Sequence, residues 1–184
     1  ENAELTWMTA SEVAFLRAEG ALRGWNMGGS AQEFYEKGIR LSFEETGAGN
    51  ADAYIANSTA TPADFVDATS NGGNASALSK VTIAWDETAG FELALEKIIT
   101  QKWLAIYPNG CEAWAEYRRT GYPALLPVLN NDSEGAVNTD LQIRRVPYPH
   151  DEYSTNAAGV ASGVAKLGGS DNAGTKLWWD KKSR

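Results

Sequence analysis

Apolar residues recur at helical spacing near the start of this chain and predict a helical hairpin over residues 9–46. In its first helix they form one stripe, made up of Ala14, Ala18, Ala21, Leu22 and Trp25. Thr9 and Ser30 each stand three residues before a glutamate, a capping box that satisfies free N–H groups where a helix begins. Glycines then end the two helices, at Gly24 and near Gly47. The second helix follows the small–aromatic–small spacing of a tetratricopeptide repeat, at Ala31, Tyr35 and Gly38.

A further apolar stripe predicts a second helical pair over residues 88–121. Its members lie on one helical face, at Phe91, Leu95, Ile98, Ile99 and Ile106. The first helix of the pair is expected to take Asp86 or Thr88 as its cap. It ends before Pro108, because proline cannot continue a helix. The next helix begins after Asn109-Gly110 and is closed by Gly121 and Pro123.

Two long segments lack a helical pattern. Small and polar residues dominate 47–84, which predicts a long loop of the kind that is functional or partly ordered. Short helical or extended pieces are expected within it near 51–56, 63–68 and 81–85. From 122 to 184 the chain is again irregular, apart from a short helix near 154–168. We therefore predict a mostly α-helical fold over residues 1–184, with tetratricopeptide-like hairpins and long ordered irregular loops, as one domain or a large part of one.

Composition and charge exclude several classes of partner. The formal net charge of −8 argues against nucleic acid, because binding to phosphates needs a basic face. The single cysteine, Cys111, excludes an intrachain disulfide and is expected to be a small packing residue just inside a helix. No Cys/His spacing suggests zinc and no phosphate-loop motif is present, so neither a metal nor a cofactor is expected. No apolar run approaches the ~20 residues of a membrane-spanning helix.

Catalytic chemistry finds little support in the sequence. The only histidine, His150, neighbours Asp151, but adjacent side chains on extended backbone point to opposite faces. A surface loop position is therefore expected for His150. Three adjacent carboxylate pairs could in principle cleave glycosides, namely Glu44–Glu45, Asp86–Glu87 and Asp151–Glu152. Since no sequence feature places any pair at a cleft, we assign no catalytic residue and keep glycoside hydrolysis as an open alternative.

Aromatic residues point more directly to a ligand. The chain holds seven tryptophans and seven tyrosines, and flat apolar rings stack well on the C–H face of a sugar. Three of them lie outside the clearly apolar helices: Trp25 at the hairpin tip, Tyr54 in the long loop and Trp85 after it. We predict these three as carbohydrate contacts. If they stack on glycan, Trp85→Ala should abolish binding and leave the melting temperature nearly unchanged, whereas a large loss of stability would place Trp85 in the core.

Other tryptophans are expected to serve packing. Trp103 and Trp114 lie on apolar helices and are predicted to be buried. Trp178 and Trp179, near the end of the chain, are predicted to close the domain.

Three sequence blocks carry a resemblance to a known family. They are QKWLAIYPNG at 101–110, EAWAEYRRTGYP at 112–123 and RRVPYPHDE at 144–152. Together with the helix entry MTASE at 8–12 and the tail LWWD at 177–180, they make the chain similar to SusD/RagB proteins, the surface lipoproteins of glycan-uptake systems in Bacteroidota. The resemblance covers nearly the whole chain, and its central blocks are specific.

The resemblance implies a location, a partner and an activity. It implies a lipid-anchored protein on the outer-membrane surface that lies as a lid over a SusC-like TonB-dependent transporter. Such a protein binds oligosaccharide, or in some members peptide, without cleaving it and delivers it to the transporter. A member would begin with a signal and a lipid-bearing cysteine, so we expect this chain to be a carboxy-terminal portion whose amino-terminal half is a further partner.

The shared motifs of the family are expected to hold the scaffold together. The paired arginines Arg118 and Arg119 suit this role, because a planar guanidinium can bind carboxylates or carbonyls that hold loops in place. Two functional alternatives stay open beside glycan binding: a module that grips a protein partner within the uptake complex, and a glycosidase. Specificity for one glycan depends on loop geometry, which composition does not encode.

Overall fold

The computed structural model describes residues 6–69 and 72–182. These residues form seven α-helices, α1 (Ala10–Leu22), α2 (Ala31–Thr46), α3 (Ala51–Ile55), α4 (Phe91–Ala105), α5 (Gly110–Thr120), α6 (His150–Thr155) and α7 (Ala157–Leu167). Extended pairing in the described part is limited to two isolated bridges, Phe65 with Ala75 and Asn138 with Gln142. The prediction of a mostly α-helical fold is confirmed. None of the helices described is both long enough and apolar enough to span a bilayer.

The chain divides into two compact units. The first takes in the chain up to Ala63 together with Ala77–Leu125, and the second takes in Asp64–Ser76 together with the chain from Leu126 onward. The first unit holds α1 to α5, and the second holds α6 and α7. The predicted hairpin and the predicted helical pair therefore belong to one unit, and the long loop contributes to both.

The predicted capping residues begin α1 and α2 and end α2 and α5. At α2 the capping box is complete: the Ser30 hydroxyl accepts the Glu33 N–H at 3.1 Å, and the Glu33 carboxylate accepts the Ser30 N–H at 2.7 Å. At α1 the Thr9 hydroxyl accepts the Glu12 N–H at 3.2 Å, but the Glu12 carboxylate turns towards Lys102 instead. Left-handed glycines end three helices, at Gly47, Gly121 and Gly168.

Three predicted boundaries differ from the structure. Helix α1 ends at Leu22, so Trp25 lies beyond the helix and outside its stripe. Helix α4 takes Gly90 as its N-cap, because the Asp86 carboxylate accepts the N–H and hydroxyl of Thr88 in a local turn. The short helix expected near 154–168 is two helices, α6 and α7, interrupted at Asn156, whose backbone leaves the helical region (φ −142°, ψ 44°).

Helices α1 and α2 pack closely because a glycine faces an aromatic ring. A Cβ at Gly38 would lie 2.7 Å from Phe15 Cζ, so the buried ring fits only against a residue without a side chain. Phe15 and Tyr35 meet edge to face, with ring centroids 6.3 Å apart. The hydrophobic cluster around them consists of Phe15, Ala18, Phe34, Tyr35, Ile39, Ile55 and Ile98. The small–aromatic–small spacing seen in the sequence is thus part of the packing surface of the hairpin.

Gly38→Val should destabilise the protein by about 2–3 kcal/mol, because two branched methyl groups would overpack the site that the Phe15 ring occupies. Urea unfolding of the full-length natural protein measures the change. Gly49→Val is the matched control, since nothing lies within 4 Å of a Cβ at Gly49. Equal losses for the two variants would show that the hairpin interface relaxes freely, contrary to the packing described.

Candidate functional site

Trp25 lies in the turn between α1 and α2 and is 64% exposed. The backbone N–H of Trp25 donates to the Gly20 carbonyl at 2.9 Å. A Cβ at Gly20 would lie 2.8 Å from the sulfur of Met27. The Arg17 guanidinium also donates to the Met27 carbonyl. The turn is therefore folded back onto α1, with the Trp25 ring largely open to solvent.

Tyr54 and Trp85 rest on the hydrophobic cluster. The Tyr54 ring lies 5.2 Å from the ring of Phe43, and its hydroxyl donates to Gln101 Oε1 at 3.1 Å. The Trp85 ring lies 5.2 Å from the ring of Tyr35. Both residues are half-buried, so each contributes to packing whether or not it also contacts a ligand.

Two buried polar groups fix the segment that leads to Trp85. The Lys97 ammonium, on α4, donates to the Thr82 hydroxyl at 2.9 Å and to the Ala84 carbonyl at 2.8 Å. The Tyr35 hydroxyl, on α2, donates to the Ile83 carbonyl at 2.6 Å. Burial lowers the pKa of Lys97 and raises the pKa of Tyr35. The backbone that leads to Trp85 is thus held from two helices, α2 and α4.

The three predicted sugar contacts therefore divide between two places. Tyr54 and Trp85 are among the described side chains that pack against the hydrophobic cluster. Trp25 is not one of them. Trp25 is presented by the turn of the hairpin instead. Removing Trp85 is expected to cost stability as well as any ligand contact, so a binding assay of that variant needs a stability measurement beside it.

Another pair of aromatic rings borders a cleft in the first unit. The cleft has a volume of about 340 Å³ and is lined by residues 6–9, Glu12 and residues 105–109. Trp7 and Tyr107 on its walls are 87% and 85% exposed. We did not single out either ring from the sequence. The available signal was the position of Tyr107 between an apolar helix and Pro108, where a ring cannot join the helix packing.

Buried charges join α1, α4 and α5 beside this cleft. The Lys102 side chain is 1% exposed, and its ammonium lies 2.8, 3.4 and 3.7 Å from carboxylate oxygens of Glu112, Glu116 and Glu12. Burial raises the pKa of Glu12, and the neighbouring glutamates add to that effect while Lys102 opposes it. One lysine thus holds together three helices through carboxylates that would otherwise repel one another.

The paired arginines take part in the same region. Arg119 donates to both carboxylate oxygens of Glu19 at 2.6 Å and to Glu116 at 2.7 Å. Burial alone would raise the pKa of Glu19, but hydrogen bonds from arginine hold it below its ordinary value. The Arg118 guanidinium lies 3.7 Å from the ring centroid of Trp114. The predicted carboxylate pairing is confirmed for Arg119, although it links helices rather than loops.

Buried carboxylates fix the motif at 144–152 in the second unit. Arg144 donates through Nε and Nη2 to the two oxygens of Asp180, at 2.7 and 2.8 Å, and both side chains are buried. Asp171 accepts hydrogen bonds from the side chains of Arg145 and Tyr153 and from the Tyr148 N–H. The motif therefore has a structural role, as the resemblance implied.

The predicted burial of the tryptophans is largely wrong. Trp103 is 36% exposed, because the buried face of α4 is made up of Ala94, Leu95, Lys97, Ile98, Ile99, Gln101 and Lys102. Trp114 is only half-buried, beneath Arg118. Trp178 is 81% exposed and Trp179 is 36% exposed, and the tail is also held by the buried Asp180, which pairs with Arg144.

The remaining candidate chemical groups lie at the surface. Cys111 is exposed in the first turn of α5, so its predicted packing role is wrong. His150 is exposed as predicted, although it begins α6 instead of lying in a loop. Among the described residues, no group of three or more His, Cys, Asp or Glu is arranged to hold a metal ion.

Comparison with known proteins decides the family. The profile of the family described as SusD and RagB outer-membrane lipoproteins matches residues 1–180. This chain belongs to the SusD-like family. Among curated proteins none matched.

Solved SusD homologues share the fold at high sequence identity. A chitin-binding SusD homologue from Flavobacterium johnsoniae is 54% identical, with a TM-score of 0.88 over 96% of this chain and 36% of its own. A SusD homologue from Bacteroides thetaiotaomicron is 48% identical, with a TM-score of 0.89 over 97% of this chain and 39% of its own. A SusD homologue from Bacteroides uniformis is also 48% identical, with a TM-score of 0.90 over 97% of this chain and 37% of its own. The chain thus spans little more than a third of these relatives.

The SusD-like assignment confirms the tetratricopeptide-like helical fold. It also gives the broad context of the protein, since the family is one of outer-membrane lipoproteins and includes a homologue that binds a glycan. Sequence identity near one half over almost the whole chain places the hairpin, the helical pair and the irregular carboxy-terminal region in that family together.

Proposed function

We propose that the natural protein is a non-catalytic glycan-binding protein of the outer cell surface. In this proposal it is anchored by a lipid, captures oligosaccharide and delivers it to a SusC-like TonB-dependent transporter. The observation that carries the proposal is the family match over residues 1–180, together with the close similarity to a chitin-binding relative.

For the ligand we propose a chitin-type chain of β-linked N-acetylglucosamine. The 54% identical relative from Flavobacterium johnsoniae is the support for this choice. Such a ligand presents an apolar sugar face, which aromatic rings bind, and amide groups, which need hydrogen-bond partners. This chain corresponds to only 36% of that relative, so the complete site is expected to include residues outside it.

Within this chain we propose Trp25, Tyr54 and Trp85 as the sugar contacts. Trp25 has the most accessible ring of the three, on a turn that is folded back onto α1. The Trp85 ring packs on the Tyr35 ring of α2, and Lys97 of α4 holds the carbonyl of the preceding residue. The Tyr54 hydroxyl already donates to Gln101, so this residue would offer its ring face.

Trp25→Ala in the full-length natural protein should weaken retention on chitin by about tenfold or more, which corresponds to roughly 1.4 kcal/mol. Its melting temperature should stay nearly unchanged, because the ring lies mostly in solvent. Trp85→Ala should also lose binding but should in addition lower stability by about 1–3 kcal/mol, since the ring packs on Tyr35. Affinity electrophoresis in gels cast with soluble glycol chitin, beside plain gels, measures the binding.

Trp178→Ala is the matched control, since this tryptophan is even more exposed and is not a proposed contact. Unchanged migration of the Trp25 variant, with a wild type that is clearly retarded, would remove Trp25 from the site. A wild type that is retarded by no polysaccharide would contradict glycan binding itself.

A further inference from the structure

The second unit carries a groove of its own. We name it the Phe65 groove; two stretches of chain form its walls, one with Phe65 and Asp67 and the other with Leu126, Leu129 and Asn130. Its volume is about 480 Å³, within the range of about 300–1,000 Å³ that small-molecule pockets occupy. The described residues that line it all belong to the second unit, whereas the three predicted sugar contacts belong to the first.

One part of the groove is apolar and open to water. The Phe65 side chain is 48% exposed, and Leu126 and Leu129 are exposed as well. A half-exposed aromatic ring can stack on the C–H face of a sugar, and aliphatic side chains beside it can receive a methyl group. The groove therefore suits a ligand that combines an apolar ring face with a small apolar substituent.

Asn130 adds an amide to this apolar surface. Its Nδ2 donates to the Gly72 carbonyl at 3.4 Å, which is long for a hydrogen bond, and its Oδ1 accepts none from any residue that the structure describes. The side chain is exposed, so both halves of the amide can turn to a ligand. An amide both donates and accepts, which matches the N–H and the carbonyl of an acetamido group.

The carboxylate in the groove is already used by the protein. Asp67 is the only ionisable residue among the described residues that line it. One carboxylate oxygen accepts the N–H and the hydroxyl of Thr69, at 2.8 and 2.7 Å, and the other accepts the N–H groups of Gly72 and Gly73. These hydrogen bonds hold the pKa of Asp67 well below its usual range. Asp67 is therefore unsuited to protonate a glycosidic bond, and the groove favours binding of an uncharged ligand without cleavage.

Backbone contacts hold the groove in shape. Phe65 exchanges two backbone hydrogen bonds with Ala75, at 2.8 and 3.0 Å, which fixes the point from which the ring extends. Gly73 is left-handed (φ 86°), and a Cβ there would lie 3.6 Å from Leu129 Cδ1, so the two walls meet at this glycine. Because the walls are positioned before a ligand arrives, little ordering has to accompany binding.

We propose that the Phe65 groove is a further subsite for the glycan and receives one N-acetylglucosamine residue. The Phe65 ring takes the apolar face of the sugar, Leu126 and Leu129 take the acetamido methyl group, and the Asn130 side chain pairs with the acetamido amide. The subsite rests on the proposed glycan-binding function, and it adds a contact for the acetamido group, which distinguishes chitin from other β-linked chains.

Calorimetric titration of the full-length natural protein with a hexamer of β-linked N-acetylglucosamine tests the subsite. Phe65→Ala should raise Kd by about tenfold or more, because a phenylalanine side chain is a large apolar contact. Asn130→Asp keeps the size of the side chain but removes its N–H donors, so it should raise Kd by a similar factor of about ten. Asn130 is exposed, so this second variant tests the subsite even where Phe65→Ala lowers stability.

Two controls accompany the titration. Val66→Ala should leave Kd unchanged, since Val66 is 71% exposed in the same stretch of chain and is not among the described residues that line the groove. A hexamer of β-linked glucose, which lacks the acetamido group, should bind the wild type at least about tenfold more weakly. Asn130→Asp should narrow that difference, because the amide contact it removes exists only with the acetylated hexamer.

The outcomes separate the subsite from the proposed function. Wild-type affinity in both groove variants, with a wild type that binds the acetylated hexamer, would overturn the subsite and leave glycan binding intact. Equal affinity of the wild type for the two hexamers would overturn the acetamido assignment. A wild type that binds neither hexamer would contradict the proposed glycan binding, and the subsite with it.

Discussion

Lys102→Met should lower the free energy of unfolding of the full-length protein by about 3–5 kcal/mol at neutral pH. Lys102 is the cation among the carboxylates of Glu12, Glu112 and Glu116, and its side chain is almost fully buried. Methionine keeps the volume but leaves three carboxylates to repel one another, two of them buried. Removing one partner of a buried ionic group costs this much because the remaining charge has no water to stabilise it.

The loss should depend on pH in a direction that the pKa of Glu12 fixes. In the folded protein that pKa is raised, chiefly by burial, so protonated Glu12 is favoured. Its contribution to stability is present below its ordinary pKa and is lost as pH rises through the raised value. Without Lys102 the pKa rises further, so the destabilisation should shrink at acidic pH. Lys37→Met, at an exposed position of α2, is the control. If Lys102→Met lowers the free energy of unfolding at neutral pH no more than this control does, the ion-pair network around Lys102 does not stabilise the fold.

Asp180→Asn should destabilise the second unit by about 3 kcal/mol. Asp180 receives two hydrogen bonds from Arg144, and both side chains are buried. Asparagine keeps the shape and one acceptor oxygen but removes the negative charge, which leaves the guanidinium without its buried counter-ion. Lys176, 3.9 Å from Asp180, would then add an uncompensated positive charge nearby.

Hydrogen exchange measures this effect locally. The Arg144 N–H donates to the Ala173 carbonyl at 2.7 Å, and the Ala173 N–H donates to the Ala136 carbonyl at 2.9 Å. Both amides should exchange roughly a hundredfold faster in the variant, since 1.4 kcal/mol is a factor of ten. Asp132→Asn, an exposed change in the same unit, should leave them unchanged. Unaltered protection in the Asp180 variant would show that the tail does not fix this region.

Local signals account for what the sequence predicted correctly. The hairpin follows from caps and glycines, since Ser30, Glu33 and Gly47 each act on backbone within a few residues. Gly38 was recognised from the spacing of one helix, and it faces Phe15 because consecutive helices of a hairpin pack on each other.

Long-range contacts account for the failures. Trp103 was predicted to be buried because α4 is apolar, but a buried lysine and glutamine occupy the inner face instead. Lys102 meets Glu12 across 90 positions of sequence, a pairing that no local pattern specifies. The exposure of Trp7 could not be read from the sequence either, because no local pattern specifies which residues pack over its ring. Ligand contacts share this difficulty, and the predicted sugar contacts therefore stay predictions.

Retention on chitin without cleavage tests the central claim most directly. Full-length natural protein is passed over chitin beads, washed, and eluted with soluble N-acetylglucosamine oligosaccharides, while released sugar is measured in the wash over several hours. Our account predicts that the protein is retained, that the oligosaccharides elute it and that no soluble sugar appears. Steady release of oligosaccharide would identify a glycosidase, and passage through chitin and every other polysaccharide tested would contradict a glycan-binding function.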